Sequence, residues 1–362
     1  MVGIVGEMKC KLLKNRKKYD NIQISIKHKK VELYMGLFNK KEKSYEEIVN
    51  EIHSNLTDNK EENIKYLKSQ AEKYKKHPMA HEIIKEIGRL FTRNLDEEKL
   101  QELNNAIEND VTSHLDNGIK YLKNGDLNNA ETELNKFVDI SKVMFKDDRV
   151  YKYFTPRNPI EYMLILNDEK GKEFKETGTD FSIGYTYLGS IAVEKKNFSK
   201  AREMLKQALR WNPYNTEAIF EEVEIYKMEG KLEEYKKATL ETIQKIYNPL
   251  DMARFYRNLG YYYIERKEWE LAKAIYLYSM RFDNGEKAKH ELIYIMQQTN
   301  SQELPKLELI KGILEKHYIP TKITERNLAI LNEMTNGIKR DKQENSSLGQ
   351  YLIGIMDFYN KL

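Results

Sequence analysis

Apolar residues recur through most of this chain at spacings of three and four, the period of a helix that buries one face. Residues 44–76 read as two amphipathic helices, with Ser44 and Glu47 forming a capping box ahead of Ile48 and Ile52. Residues 287–298, 303–317, 322–339 and 346–361 read as four more. Pro305 falls in a first turn, where its missing N–H does no harm, and Pro320 and the run DKQENSS mark breaks. Residues 1–34 are of mixed pattern, and their NIQISI stretch alternates weakly in the manner of a short strand. An all-α fold is the expectation.

Between residues 81 and 286 the pattern repeats. With Ser182 as position 1, Tyr185, Leu188, Gly189 and Ala192 stand at 4, 7, 8 and 11, and Ala201, Leu205, Ala208 and Pro213 at 20, 24, 27 and 32. The same ruler laid from Ala253 finds Tyr256, Leu259, Gly260, Tyr263, Ala272, Tyr276 and Ser279. Laid from Val111 it finds Gly118, Tyr121, Ala130, Leu134 and Phe137. Phe137 stands where a small residue is usual, so that join is expected to be wider. A degenerate copy, 216–249, keeps Tyr226, Gly230 and Pro249 but has Val223 and Tyr235 at small positions. An earlier candidate over 81–110 keeps only Ile84, Ile87, Gly88 and Phe91. Residues 141–180 interrupt the series with Pro156, Pro159, Gly171 and Gly178, and read as a short helix near Pro159–Leu166 followed by an exposed loop.

This pattern resembles the tetratricopeptide repeat, a 34-residue helix–turn–helix unit. More narrowly, ALRWNP followed by YRNLGYYYIE is similar to tetratricopeptide proteins of Firmicutes-type bacteria. The resemblance implies a right-handed α-solenoid with helical caps. Small residues at Gly189 and Ala201 would let paired helices approach, and Pro213 would end the second helix. The domain reading is a basic tail over 1–43, an N-terminal helical region over 44–110, a repeat array over 111–286, and a polar-faced helical cap over 287–362.

In such a solenoid the first helix of each repeat lines a groove, at positions 2, 5, 9, 12 and 13. Carried over, the resemblance offers Thr186 and Ser190 from one copy, and Phe220, Glu224 and Lys227 from the degenerate copy. The copy from Ala253 offers Arg254, Arg257, Tyr261 and Glu265. Arg254, Arg257 and Tyr261 share one helix face by spacing, and arginine can fork a carboxylate. The competing expectation is that these arginines pair with glutamates on neighbouring helices. The chaperone-binding carboxylate clamp of the family is not matched by Thr186, Ser190, Phe220 and Glu224, so a chaperone C-terminus is a poor candidate partner.

Composition narrows the function classes. Charged residues make up 33%, and proline and glycine are sparse at 7 and 17, which suits long helices. Cys10 is the sole cysteine, so no disulfide can form within the chain and a reducing, cytoplasmic setting is expected. No apolar run reaches the roughly 18 residues of a membrane span. The net charge of +4 is uneven: residues 1–34 carry nine Lys/Arg against three Asp/Glu. The body is close to neutral, so no specific nucleic-acid partner is expected. MGLFNKKEK, from Met35, has the form of a bacterial start, so residues 1–34 are read either as a basic tail or as a mis-called extension.

Site chemistry is sparse. His77 and His81 are split by Pro78, and no third ligand is near. Residues 81–85, HEIIK, lack the second histidine of a zinc-protease helix. Glu221, Glu222 and Glu224 read as a solvated acidic run, and no glycine cluster forms a phosphate loop. The expected function is non-catalytic binding of a protein or peptide, with no metal and no cofactor. The alternative is a regulator that senses an oligopeptide, although residues 1–110 show no DNA-binding helix–turn–helix. An enzyme hidden in 141–180 would need a nucleophile–base pairing that the segment does not offer.

Overall fold

The computed structural model describes residues 43–145, 152–170, 172 and 174–362. The stretch before residue 43, with Cys10, NIQISI and Met35, lies outside them. The chain forms two compact units, divided between Thr112 and Ser113.

The described part of the first unit holds α1 (Tyr45–Ser54), α2 (Lys60–Tyr74), α3 (Ala80–Arg93) and the start of α4 (Glu97–Lys123). The capping box is present: the Glu47 amide donates to the Ser44 hydroxyl at 3.2 Å, and the Ser44 amide donates to the Glu47 carboxylate at 2.7 Å. Ile48, Ile52, Leu67, Ala71, Ile83 and Ile87 make the core. Gly88 does not mark a helix crossing, because a Cβ there would meet nothing within 4 Å. Helix α3 buries Ile83, Ile87 and Leu90, with Ile84 and Phe91 partly buried against the same core and Gly88 exposed.

The second unit is helical apart from one two-residue pair of strands among its described residues. After α4 come α5 (Leu127–Met144), β1 (Tyr153–Phe154), α6 (Pro159–Asp168), β2 (Lys175–Glu176), α7 (Phe181–Glu194) and α8 (Phe198–Trp211). Then follow α9 (Thr216–Met228), α10 (Leu232–Thr242), α11 (Pro249–Glu265) and α12 (Trp269–Ser279). The last four are α13 (Glu286–Thr299), α14 (Leu307–Lys316), α15 (Glu325–Arg340) and α16 (Ser347–Asn360). Helices α7 and α8, α9 and α10, and α11 and α12 pack as consecutive hairpins, and α7 also packs on α5.

The ruler positions reappear as geometry. A Cβ on Gly118 would lie 2.7 Å from Leu134, one on Gly189 2.7 Å from Leu205, and one on Gly260 2.6 Å from Tyr276. Position 8 therefore touches position 24 in three copies, and the large residue fills the space that glycine leaves. In the copy at 216–249 two medium-sized residues, Val223 and Thr239, take these two positions and both are buried. Phe137, the large residue at a usually small position, is fully buried. A Cβ on Gly184 would lie 2.4 Å from the Phe137 ring, so Gly184 supplies the missing room.

Each hairpin also turns alike. Gly125, Lys196, Gly230 and Lys267, all at position 15, have φ of 75°, 56°, 70° and 57°. The next amide in each case donates to the carbonyl five residues back: Asp126 to Tyr121, Asn197 to Ala192, Lys231 to Tyr226 and Glu268 to Tyr263. This is a left-handed C-terminal cap, which glycine adopts without a Cβ penalty and lysine does not.

Residues 152–180 form the expected short helix and, after it, a stretch whose described residues are exposed or half-buried, with β2 as its one added element. The helix begins at Pro159 as anticipated, with Asn158 accepting from Ile160 N and Glu161 N at 3.0 Å. It carries Ile160, Leu164 and Ile165 into the core, and β1 pairs in parallel with β2. Glu161 is fully buried, yet every lone-pair direction is used: Arg157 donates at 2.7 Å, Asn212 at 2.7 Å and the Tyr247 hydroxyl at 3.2 Å. Asn212 and Tyr247 are distant in sequence, so the anchoring left no local signal.

The C-terminal helices also differ from a polar-faced cap. Leu307, Leu309 and Tyr318 are 72%, 58% and 93% exposed. Pro305 precedes α14 instead of sitting in its first turn. Helix α15 packs against α6, and its Asn327 amide donates to the carbonyls of Gln244 and Ile246 at 3.2 and 2.9 Å. Arg326 reaches Asp168, Asn167 and Tyr214.

Two stability outcomes follow from the repeated geometry. Gly189→Leu forces a side chain into Leu205 and is expected to destabilise by about 3 kcal/mol; wild-type stability in a urea melt would refute that crossing. Lys196→Gly relieves a left-handed lysine and is expected to stabilise by about 0.5–1 kcal/mol in the same assay. A destabilised variant would show that the turn is not left-handed.

Candidate functional site

Helices α7, α9 and α11 lie in sequence-alternate order, and cross-contacts link one to the next. Asn215, which caps α9, donates to the hydroxyls of Ser182 and Thr186 on α7 at 3.1 and 2.9 Å. Ser190 on α7 faces Glu221 on α9 and favours its charged form. The Arg254 guanidinium on α11 lies 4.5 Å from the Phe220 ring centroid and 3.9 Å from the Glu221 carboxylate. The Lys227 ammonium sits 3.9 Å from the centroid of Tyr261.

The nine groove residues expected from sequence divide into three groups. Ser190, Glu224, Lys227, Arg254 and Tyr261 are half-buried along these shared faces. Phe220 is almost wholly buried and serves as a floor beneath Arg254. Thr186 is buried as well, donating to the Ser182 carbonyl at 2.8 Å while it accepts from Asn215, so it is withdrawn from the open face. Its hydroxyl is used internally because serine, threonine and asparagine close a ring across α7 and the α9 cap. Arg257 turns to Asp283 at 3.1 Å, and Glu265 is exposed at the far end of α11. The competing expectation of intramolecular pairing is met by Arg254 with Glu221, and Arg257 pairs with an aspartate, Asp283, instead of a glutamate.

Electrostatics separate the charged groups. Burial pulls the Arg257 guanidinium below its ordinary value, against the opposing pull of Asp283. Glu224 meets Lys227 at 3.7 Å. The run Glu221, Glu222 and Glu224 is not fully solvated, as all three are half-buried. Burial pushes the Glu221 and Glu222 carboxyls up, with Arg254 and Arg202 respectively pulling the other way. Burial also raises the Tyr261 hydroxyl, helped by Glu265.

Sequence reasoning missed Asn258. At 3.6 residues per turn it falls in one stripe of α11 with Arg254, Tyr261 and Glu265. It is 7% exposed, and its side-chain nitrogen has no hydrogen-bond partner among the described residues. A buried amide left unpaired costs about 1–3 kcal/mol; His77, Asn327 and Tyr359 also each hold a buried polar atom without a partner among the described residues. The available signal was an asparagine placed within the largely apolar run RFYRNLGYYY.

No group of three or more His, Cys, Asp or Glu able to hold a metal occurs among the described residues. None of their helices is long and apolar enough to cross a membrane.

No family model matches the chain. A stretch of 93 residues, 26% of this chain, is 32% identical to human cilia- and flagella-associated protein 70. The matched stretch spans 8% of that much longer protein.

The raised carboxyls have a pH signature. A carboxyl raised in the fold keeps its proton to higher pH than in the unfolded chain, so the fold loses stability as pH climbs from the ordinary 4.5 through the raised value. Glu221→Gln removes this loss. Its melting temperature relative to wild type is expected to be higher at about pH 7 than at about pH 4. An equal difference at both would mean that Glu221 is solvated.

Proposed function

We propose that the second unit is a tetratricopeptide-type α-solenoid that binds an extended peptide or protein segment along the faces of α7, α9 and α11, without catalysis. What carries the reading is Asn258, whose unpartnered donor is buried beneath the stripe that holds Arg254 and Tyr261, where a ligand reaches it once the side chains over it move aside. An amide is suited to a peptide backbone, which offers carbonyl acceptors at every residue whatever its side chains. Arg254, half-buried over Phe220, adds a cation for an acidic side chain or a terminal carboxylate. The repeated position 8 and 24 contacts and the common left-handed turns support the family reading.

The test uses peptides selected from a random displayed library against the intact chain. Asn258→Leu is expected to weaken their binding at least about tenfold. It should also raise stability by about 1–2 kcal/mol, because the unpaired amide is removed. Selected peptides that bind the variant as tightly as the wild type would rule out this face as the binding site.

A further inference from the structure

A cleft of about 600 Å³ opens between the turn that enters α6 and the two last helices, α15 and α16. It is separate from the α7–α9–α11 face, since none of its lining residues belongs to those helices. Tyr162 and Met163 form one wall, and Met334, Ile338 and Leu352 the other. Four of these five are only half-buried, so apolar surface remains uncovered. Two methionines among them can adjust to differently shaped apolar partners.

Gly337 stands on the α15 wall. Glycine weakens a helix interior, and packing does not demand it here, because a Cβ would meet nothing within 4 Å. Its effect is to leave the α15 backbone open to close approach from the cleft. The charges are equally one-sided. Arg157 lines the cleft but is committed to Glu161, its Nη2 lying 2.7 Å from that fully buried carboxylate. The other two charged lining residues, Glu176 and Asp341, are both exposed carboxylates. Asp341 meets only the adjacent Arg340, at 3.4 Å, in a pair more than half exposed and therefore weak.

We propose that this cleft is a second docking site, for a peptide segment that presents leucine-sized side chains together with lysine or arginine. The apolar walls take the former, the acidic rim takes the latter, and Gly337 admits the segment close to α15. The site does not depend on the proposal for the α7–α9–α11 face.

Methyl-labelled methionine provides the readout in the intact chain. Met163 and Met334 report on the cleft, exposed Met228 on the α9 face, and buried Met252 on the core. Titration with a short helical Leu/Lys peptide is expected to move the Met163 and Met334 methyl signals and leave Met252 in place. Glu176→Lys combined with Asp341→Lys, both at exposed positions, should weaken binding about tenfold. Gly337→Leu should abolish it, with the Met252 signal confirming the fold. Failure to move Met163 and Met334 overturns the proposal, as does a response confined to Met228. An equal response to a Leu/Glu peptide, or an unchanged affinity in the charge-reversed variant, removes the basic requirement and overturns it too. Decyltrimethylammonium binding as tightly as the peptide would identify an amphiphile site in its place.

Discussion

The hairpins of the second unit depend on one close contact, a helix backbone bared by glycine against a large side chain from its partner. Gly118 meets Leu134, Gly189 meets Leu205, and Gly260 meets Tyr276. Interiors are packed too densely for a gap or an extra methylene to pass unnoticed, so the pair is constrained jointly. That explains how the copy at 216–249 tolerates Val223: Thr239 on the facing helix is correspondingly small. It also explains Phe137, which is accommodated by Gly184 on a neighbouring helix. In both places a bulky residue is matched by a smaller one across the contact or on a neighbouring helix.

With the separation set, the faces of α7, α9 and α11 fall into register, and their polar residues can reach across. Some do so to complete the fold, as Thr186 and Ser182 do with Asn215. Others hold a cation against a ring, as Arg254 and Lys227 do. Asn258 does neither, and its side-chain nitrogen has no hydrogen-bond partner among the described residues.

Helix boundaries and hairpin crossings were legible because they rest on local period, capping and residue size. The Ser44–Glu47 box and the glycine positions at 118, 189 and 260 are of that kind. Gly88 was misread because a glycine of the right spacing need not face another helix. The groove assignments were legible only as positions on a helix. Thr186 and Arg257 were diverted by Asn215 and Asp283, partners that helical periodicity cannot identify. The whole 152–168 anchorage was hidden for the same reason, since Glu161 draws its partners from Asn212 and Tyr247.

The return of α15 to α6 alters how the unit can come apart. In a stack whose elements touch only their sequence neighbours, an end can fray while the middle stays folded. Here Arg326 and Asn327 grip residues near 168 and 245, so the C-terminal helices cannot leave without exposing the anchorage around α6. Such long closures slow folding, because the chain loses loop entropy before those contacts form. They also tie the last helices to α6 and to the segment after α10, so that these parts are expected to unfold together.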